Sequence, residues 1–170
     1  MLAGWIKMAF TIAPVSKEDG KAIIDIFNHY VENSFAAYPE DPVPYEFFDF
    51  FVNMSEGYPF LVARDDEGNV TGFALLRPHS PMPVFSRTAE ITCFIASEHI
   101  GKGMGKAMQE RLLHEAKKKG ISSVLASISS LNPASLAFHS KCGFQECGRL
   151  MKIGRKWGQD FDVVWMQRMI

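Results

Sequence analysis

The stretch Glu90-Ile-Thr-Cys-Phe-Ile-Ala-Ser-Glu-His-Ile-Gly-Lys-Gly-Met-Gly-Lys-Ala107 decides the fold. In its first part apolar residues alternate with others at Ile91, Cys93 and Ile95, a period of two that predicts a β-strand. Its last part begins a predicted amphipathic helix whose apolar residues recur at helical spacing, namely Met104, Ala107, Met108, Leu112 and Ala116. The sequence therefore predicts a strand that leads through a glycine-rich turn into a helix.

The turn combines three glycines with two lysines: Gly101, Lys102, Gly103, Gly105 and Lys106. Glycine lets backbone N–H groups approach a ligand without an intervening side chain. The start of the helix adds unpaired N–H donors and a partial positive charge, and the lysines add full charges. These features together predict a cradle for phosphate groups.

Other glycine-rich motifs fit the cradle less well. A Walker P-loop needs one more residue before its Gly-Lys pair and a Ser or Thr after it, where this chain has Ala107. A dinucleotide fingerprint needs an acidic residue about 20 positions on, but the following strand, 122–130, contains no Asp or Glu. A glycine-rich helix entry without a ligand is the remaining alternative.

Composition limits the class of protein. The chain has 170 residues, of which 47% are hydrophobic, so a globular domain with a sizeable core is expected. Its net charge of −1 argues against general binding to nucleic acid or to a membrane surface, and no apolar run approaches the roughly 18 residues of a membrane span. Three cysteines without metal spacing predict buried free thiols, a reducing cytoplasm and no metal site: Cys93, Cys142 and Cys147.

Periodicity and turn signals divide the remaining chain into elements. Before the cradle we predict strands at 10–15, 60–64 and 70–77, the last two joined as a hairpin. A helix is predicted to begin at Ser16, with Asp19 completing a capping box, and to end near 33–34. A second, aromatic-rich helix is predicted at 45–54.

After the cradle, strands are predicted at 121–128, 145–153 and 163–169, with a glycine-containing connection at 154–160. A helix at 133–142 begins after the N-cap Asn132 and stops at Gly143. The order predicts one α/β domain over 10–170, with a mixed sheet and helices on both faces, and an N-terminal extension over 1–9.

The segment Ile100-Gly-Lys-Gly-Met-Gly105 resembles the pyrophosphate loop of the GNAT superfamily of N-acetyltransferases, which bind acetyl-coenzyme A. The superfamily pattern is Gln or Arg, two residues, Gly, one residue, then Gly or Ala. Gly103 and Gly105 match, while Ile100 replaces the polar first residue. The resemblance extends from Phe10 to the C-terminus and implies a mostly antiparallel sheet.

The resemblance also implies a set of coenzyme-binding residues. The cradle would hold the pyrophosphate through Gly101, Lys102, Gly103, Met104, Gly105 and Lys106. Backbone groups of Cys93, Phe94 and Ile95 would hold the pantetheine arm and polarise the thioester.

Two further segments resemble one branch of that superfamily, the phosphinothricin and methionine-sulfoximine acetyltransferases. In Asn132-Pro-Ala-Ser-Leu-Ala-Phe-His139-Ser-Lys-Cys-Gly-Phe144, Asn132 resembles the residue that hydrogen-bonds the pantetheine arm. His139 stands where many members have the tyrosine that protonates the leaving thiolate; a histidine that only caps and packs is the alternative. The stretch Ile153-Gly-Arg-Lys-Trp-Gly-Gln-Asp-Phe-Asp-Val-Val-Trp-Met-Gln167 is the most branch-specific match.

Glu90 is the candidate base that takes a proton from the acceptor amine. It stands on an otherwise apolar strand just upstream of the cradle, and Thr88-Ala89-Glu90 resembles the Thr-Val-Glu of the branch. The alternative is a structural glutamate, exposed or paired with Arg87. The other four histidines lack ligand spacing and are expected at the surface or in the core: His29, His79, His99 and His114.

The acceptor site is expected around two segments. Arg77 or Arg87 can hold an acceptor carboxylate by a bidentate pair, or can simply be a surface charge. Phe85 belongs to the loop between them, 77–87, which corresponds to an acceptor loop of the branch. The region after the first helix resembles the wall of the acceptor pocket, which makes candidates of Phe35, Tyr38 and Phe48.

The resemblance thus implies an enzyme that transfers acetyl from acetyl-coenzyme A to a small amine, an amino acid or an analogue of one. A cytoplasmic location is expected from the cysteines, and the resemblance to the branch implies a homodimer. The aromatic C-terminal strands are the candidate dimer contacts. A non-catalytic acyl-coenzyme A sensor is the alternative from another class, and a nicotinamide oxidoreductase is a third. No nucleic-acid or membrane partner is expected.

Overall fold

The computed structural model of the protein describes residues 10–170, and the predicted N-terminal extension 1–9 lies outside this range. Within it, seven strands form one sheet: β1 (Thr11–Pro14), β2 (Phe60–Arg64), β3 (Val70–Pro78), β4 (Thr88–Ile95), β5 (Ser123–Ser129), β6 (Gln145–Lys156) and β7 (Gln159–Met169). Four α-helices accompany it: α1 (Gly20–Asn33), α2 (Phe47–Met54), α3 (Met104–Lys118) and α4 (Pro133–Lys141).

The sheet has the strand order β1-β2-β3-β4-β5-β7-β6. Every neighbouring pair is antiparallel except β4 and β5, so the predicted mixed, mostly antiparallel sheet is confirmed. The parallel pair is short, because only Thr88–Glu90 of β4 align with Ser123–Leu125 of β5. Beyond these residues the two strands separate, and β4 has no strand neighbour on that edge.

Alternation along the strands builds a core on each face of the sheet. Leu61 and Leu76 point towards α3, whereas Val62 and Phe73 point towards α1 and α2. The helices therefore cover both faces, as the sequence predicts. Over residues 10–170, every helix is too short or too polar to cross a membrane.

Local signals set the helix ends as predicted. Asp19 Oδ2 accepts hydrogen bonds from the Ser16 N–H at 2.8 Å and from the Ser16 hydroxyl at 3.1 Å. This capping box starts a 3-10 turn, Lys17–Asp19, which leads directly into α1. Asn132 caps α4 by accepting from the Ser135 N–H at 3.3 Å. Gly143 follows α4 with a φ of +84°, a left-handed conformation that glycine adopts without strain.

The predicted connection at 154–160 is wrong. Strand β6 continues to Lys156, which pairs with Gln159 at the start of β7, so the turn consists only of Trp157 and Gly158. Both turn residues have positive φ, +49° and +75°, as a tight hairpin turn requires. The two glycines suggested a loop, but Gly154 lies within the strand, where a Cβ would collide with the Phe161 ring.

Smaller differences concern element ends and one cysteine. Helix α2 begins at Phe47 rather than at 45, and β7 begins four residues earlier than predicted. Cys142 is buried and Cys93 half-buried, as expected, but Cys147 is exposed on β6, a strand at the edge of the sheet.

Candidate active site

A cavity of about 650 Å³ opens where β4 and β5 separate. Residues 90–95 of β4 and 126–129 of β5 form its sides. The glycine-rich turn before α3 and the first turns of α4 line one part, and residues 34 and 36–39, after α1, line another. The cavity thus reaches both faces of the sheet through the gap between its central strands.

The cradle presents free backbone to this cavity. Gly101 and Gly103 both have a φ of +81°, and a Cβ at either position would meet nothing within 4 Å. Gly103 is the N-cap of α3, whose first turn offers N–H groups that have no intrahelical acceptor. The first bond of the helix runs from the Ala107 N–H to the Gly103 carbonyl at 3.1 Å. The geometry suits an anion.

The remaining cradle residues differ in role. Lys106 lines the cavity, whereas Lys102 is exposed and lies outside its lining. Met104 is buried in the core, where its Sδ accepts from the Thr71 hydroxyl at 3.4 Å, and it lies outside the cavity lining. Gly105 makes room for Phe138 of α4, because a Cβ there would stand 3.1 Å from that ring. This glycine serves packing as well as ligand access.

Cys93, Phe94 and Ile95 line the cavity along the edge of β4 that has no strand neighbour. The Tyr30 hydroxyl donates to the Ile95 carbonyl and fixes the end of this edge. Burial raises the pKa of the Cys93 thiol to about 12, which favours the protonated thiol over the reactive thiolate.

Glu90 lies in the cavity wall with only 7% of its surface exposed. Its cross-strand partner is Arg77, whose guanidinium Nη2 donates to Glu90 Oε2. His79 Nδ1 lies 2.8 Å from Glu90 Oε1. The carboxylate is therefore ion-paired with Arg77 rather than with Arg87, and His79 lies within hydrogen-bonding distance of its other oxygen.

His139 is buried in α4 and also lines the cavity. Burial lowers its pKa, although a hydrogen bond to the Ser135 carbonyl acts in the opposite direction. The neutral ring is favoured, and Nδ1, 2.8 Å from that carbonyl, is the donor. This tautomer leaves Nε2 as an acceptor. Asn132, one α-helical turn before Ser135, lines the cavity as well.

Only some of the predicted acceptor residues reach the cavity. Arg77 and Tyr38 line it. Phe35 packs on Trp157 and Phe161 instead, with centroid distances of 5.5 and 6.0 Å. Three others also lie outside the lining: Phe85, which packs on His79; Phe48, which is in the core; and Arg87, which is exposed.

His79 is a site residue that the sequence analysis missed. It was expected to be an ordinary surface or core histidine, yet it completes the environment of Glu90. One signal was available, because His79 follows Arg77 by two and comes directly after β3, so an extended backbone there places both side chains on the same face. Among residues 10–170, no three His, Cys, Asp or Glu side chains cluster closely enough to hold a metal ion.

Comparisons with known proteins identify the family of the chain. The profile of the acetyltransferase (GNAT) family matches residues 23–144. An L-methionine sulfoximine/L-methionine sulfone acetyltransferase of Pseudomonas paraeruginosa is 32% identical, with 94% of each chain covered. A phosphinothricin N-acetyltransferase of Streptomyces viridochromogenes is 33% identical, with 92% of this chain and 86% of that one covered.

A solved structure is similar over nearly the whole fold. It is a phosphinothricin acetyltransferase of the GNAT superfamily from Sinorhizobium meliloti in complex with acetyl-coenzyme A. Its TM-score is 0.89 at 30% sequence identity, with 96% of this chain and 89% of that chain covered. The chain described here therefore belongs to the acetyltransferase (GNAT) family.

Proposed function

We propose that the protein transfers the acetyl group of acetyl-coenzyme A to the amine of a small molecule, an amino acid or an amino-acid analogue. The observation that carries the proposal is the continuous cavity that joins the cradle before α3 to the Glu90 carboxylate. Relatives named as methionine sulfoximine/sulfone and phosphinothricin acetyltransferases, similar over nearly the whole chain, support the same chemistry.

In this proposal the coenzyme enters from the face of the sheet that carries α3 and α4. The N–H groups after Gly101 and the Lys106 ammonium bind the pyrophosphate, because both oppose its negative charge. The free edge of β4 at 93–95 and the Asn132 amide bind the pantetheine arm. The bound coenzyme supplies a thioester, which is an activated acyl group.

The acceptor then occupies the part of the cavity on the opposite face, beside α1 and α2. Arg77 faces the cavity and has further N–H donors for an acceptor carboxylate besides the one that binds Glu90. Tyr38 and the chain at 34–39 form the adjacent wall. An α-amino acid between Arg77 and Glu90 would present its amine to the carboxylate. The predicted contact of Phe35, Phe85 or Arg87 with the acceptor is not part of this proposal, because all three lie outside the cavity lining.

Glu90 is the proposed base and His79 its connection to solvent. An amine attacks a carbonyl only as the free base, so its proton must be removed. Glu90 accepts that proton, directly or through one water, and His79 at 2.8 Å can pass it outward because about a third of its side chain is exposed. His139 lines the cavity and is proposed to relay a proton to the leaving thiolate: Nε2, the acceptor in this tautomer, first takes a proton from the nitrogen of the attacking amine in the tetrahedral intermediate and then donates it to the sulfur.

The test is release of free thiol from acetyl-coenzyme A in the presence of a panel of amines, with methionine sulfone, methionine sulfoximine and phosphinothricin among them. Amine-dependent release with a stoichiometric N-acetylated product is expected. Coenzyme binding without release for any amine would instead support the alternative, an acyl-coenzyme A sensor. Tight binding of a nicotinamide cofactor in place of coenzyme A would contradict both.

We also propose that the protein is a cytoplasmic homodimer. Strand β6 lies at the edge of the sheet and exposes Leu150, Met151 and Ile153, an apolar surface suited to a second copy. Three free cysteines suit a reducing compartment. Light scattering should give twice the chain mass, and Met151→Lys should reduce it to the mass of one chain. A single-chain mass for the unaltered protein would contradict the dimer.

A further inference from the structure

We propose that Lys156, at the end of β6, is a positioning residue that holds the wall of the acceptor site in place. That this wall borders an acceptor rests on the proposed function. The contacts of Lys156 with the wall do not depend on it. Lys156 is fully buried, far from the catalytic groups in sequence, and contacts the chain that follows α1.

The ammonium group of Lys156 donates to three backbone carbonyls. Its Nζ lies 2.6 Å from the oxygen of Val31, 2.7 Å from that of Ser34 and 2.8 Å from that of Ala37. Three donors thus meet three acceptors, which satisfies the ammonium completely. The Trp157 ring lies 4.2 Å from the same Nζ and adds a cation–π contact.

The three carbonyls explain why a cation is needed there. Val31 belongs to the last turn of α1, where carbonyls lack intrahelical partners and the helix carries partial negative charge. Ser34 is the C-cap, and Ala37 lies in the loop beyond it. Lys156 therefore joins the end of α1 to the first residues of the loop. Burial lowers its pKa, and the Glu40 carboxylate opposes that shift.

The segment that Lys156 holds is the one that lines the cavity. Ser34, Ala37 and Tyr38 all contribute to the lining, while the loop carries few regular backbone bonds of its own. Without the ammonium, three carbonyls would remain unpaired in a buried place, and the loop would have to move to reach water. The position of the wall therefore depends on this side chain.

Neighbouring contacts tie the same loop to the turn between β6 and β7. The Trp157 N–H donates to Glu40 Oε1 at 2.6 Å. Phe161 packs on Phe35 at 6.0 Å and stacks on Tyr38 at 5.6 Å. The hairpin turn and the acceptor wall thus form one unit, with Lys156 as its buried centre.

The test compares Lys156→Met with the unaltered protein and with Lys152→Met. Methionine keeps an unbranched apolar side chain but removes the three donors. Lys152 is exposed on the same strand, so its substitution removes a lysine without touching the loop. Each protein is measured for acceptor KM and kcat with the panel amine that the unaltered protein acetylates fastest, for acetyl-coenzyme A Kd, and for amide hydrogen exchange.

In Lys156→Met we expect the acceptor KM to rise about 10- to 100-fold, because small displacements of a positioning wall have effects of that size. The coenzyme Kd should stay within about twofold, since the cradle lies on the other face. Amide exchange should accelerate at 34–40 and remain unchanged in β2 and β3. Lys152→Met should match the unaltered protein in every measurement.

An unchanged acceptor KM and unchanged exchange in folded Lys156→Met would overturn the inference, as would equal effects in Lys152→Met. If Lys156→Met does not fold, Lys156→Gln replaces it, since its amide keeps two donors but cannot reach all three carbonyls. The same result in folded Lys156→Gln would overturn the inference. If the unaltered protein acetylates no amine, the proposed function fails, and exchange at 34–40 alone decides the role of Lys156.

Discussion

His79 Nδ1 and Glu90 Oε1 lie 2.8 Å apart, although eleven positions separate the two residues along the chain. The connection between β3 and β4 brings them together, and Arg77 holds the other oxygen of the same carboxylate. The carboxylate is thereby oriented on one side by a guanidinium in the cavity wall and linked on the other to a partly exposed imidazole. This arrangement gives the proposed proton transfer a direction, from the cavity to the solvent.

Glu90→Gln should keep the shape of the side chain and remove the base. Turnover should fall by about 10²- to 10⁴-fold, the usual contribution of a general base. Acetyl-coenzyme A affinity should barely change, and the rising limb of the pH–rate profile should flatten or move. Steady-state kinetics over a pH series checks this, and near-normal turnover with an unchanged profile would make Glu90 a structural residue.

His79→Phe should keep the ring that packs against Phe85 and Trp165 while removing the nitrogen beside Glu90. We expect a smaller loss of turnover than in Glu90→Gln, partly restored by imidazole added to the buffer, because a small base can then carry the proton. Turnover measured against imidazole concentration checks the route. Loss of turnover without any rescue would show that His79 only orients the carboxylate.

Arg77→Met and Arg87→Met form a matched pair that separates the two predicted carboxylate-binding arginines. Arg77 lines the cavity, so its loss should raise the acceptor KM about 10- to 100-fold, the value of a hydrogen bond between charged groups. Arg87 is exposed outside the lining, and its loss should leave KM unchanged. The reverse order of effects would move the acceptor site to the loop at 78–87.

Gly103→Ala and Gly120→Ala carry the same backbone strain, since their φ angles are +81° and +79° and both have open space around them. Each should cost roughly 1–2 kcal/mol of folding free energy. Only Gly103→Ala should weaken coenzyme binding, by about tenfold or more, because its Cβ enters the space of the pyrophosphate. Calorimetric titration checks the affinities; equal values in both variants would show that the cradle is elsewhere.

His139 makes the stability depend on pH in a defined direction. Its pKa in the folded protein is lowered by burial, so between that value and about 6.5 the unfolded chain binds more protons. The free energy of unfolding should therefore decrease as the pH falls below about 6.5 and level off below the folded pKa. Urea unfolding at a series of pH values should show a weaker slope in His139→Gln, and an equal slope would contradict this origin.

Much of the fold follows from local patterns in the sequence. The alternation in β2, β3 and β4, the Ser16–Asp19 capping box and the stop at Gly143 each depend on residues close in the chain, and each is found where expected. The wrong prediction of a connection at 154–160 also comes from reading local patterns alone. Two glycines near each other resemble a loop locally, but Gly154 is required by the ring of Phe161 on the partner strand.

The part of the site that is built from backbone groups could be predicted from the sequence. The part in which side chains distant in the chain come together could not. The cradle needs only glycines before a helix, so it is visible in the sequence. Lys156 is separated by 125 positions from Val31, and no local sequence pattern predicts that a lysine binds the end of a helix so far away in the chain. Phe35 was expected in the acceptor site because of its loop, but its ring turns towards Trp157.

The short pairing between β4 and β5 also affects the protein before any reaction takes place. An unpaired strand edge offers hydrogen-bonding groups to other chains and is a known starting point for aggregation. Here that edge lies inside a cleft, where a coenzyme molecule would cover it. A ligand present at a hundred times its Kd stabilises the folded state by about 2.7 kcal/mol. The metabolite that supplies the acetyl group would then also act as a protective partner of the resting enzyme, and its cellular level would influence how long the protein survives.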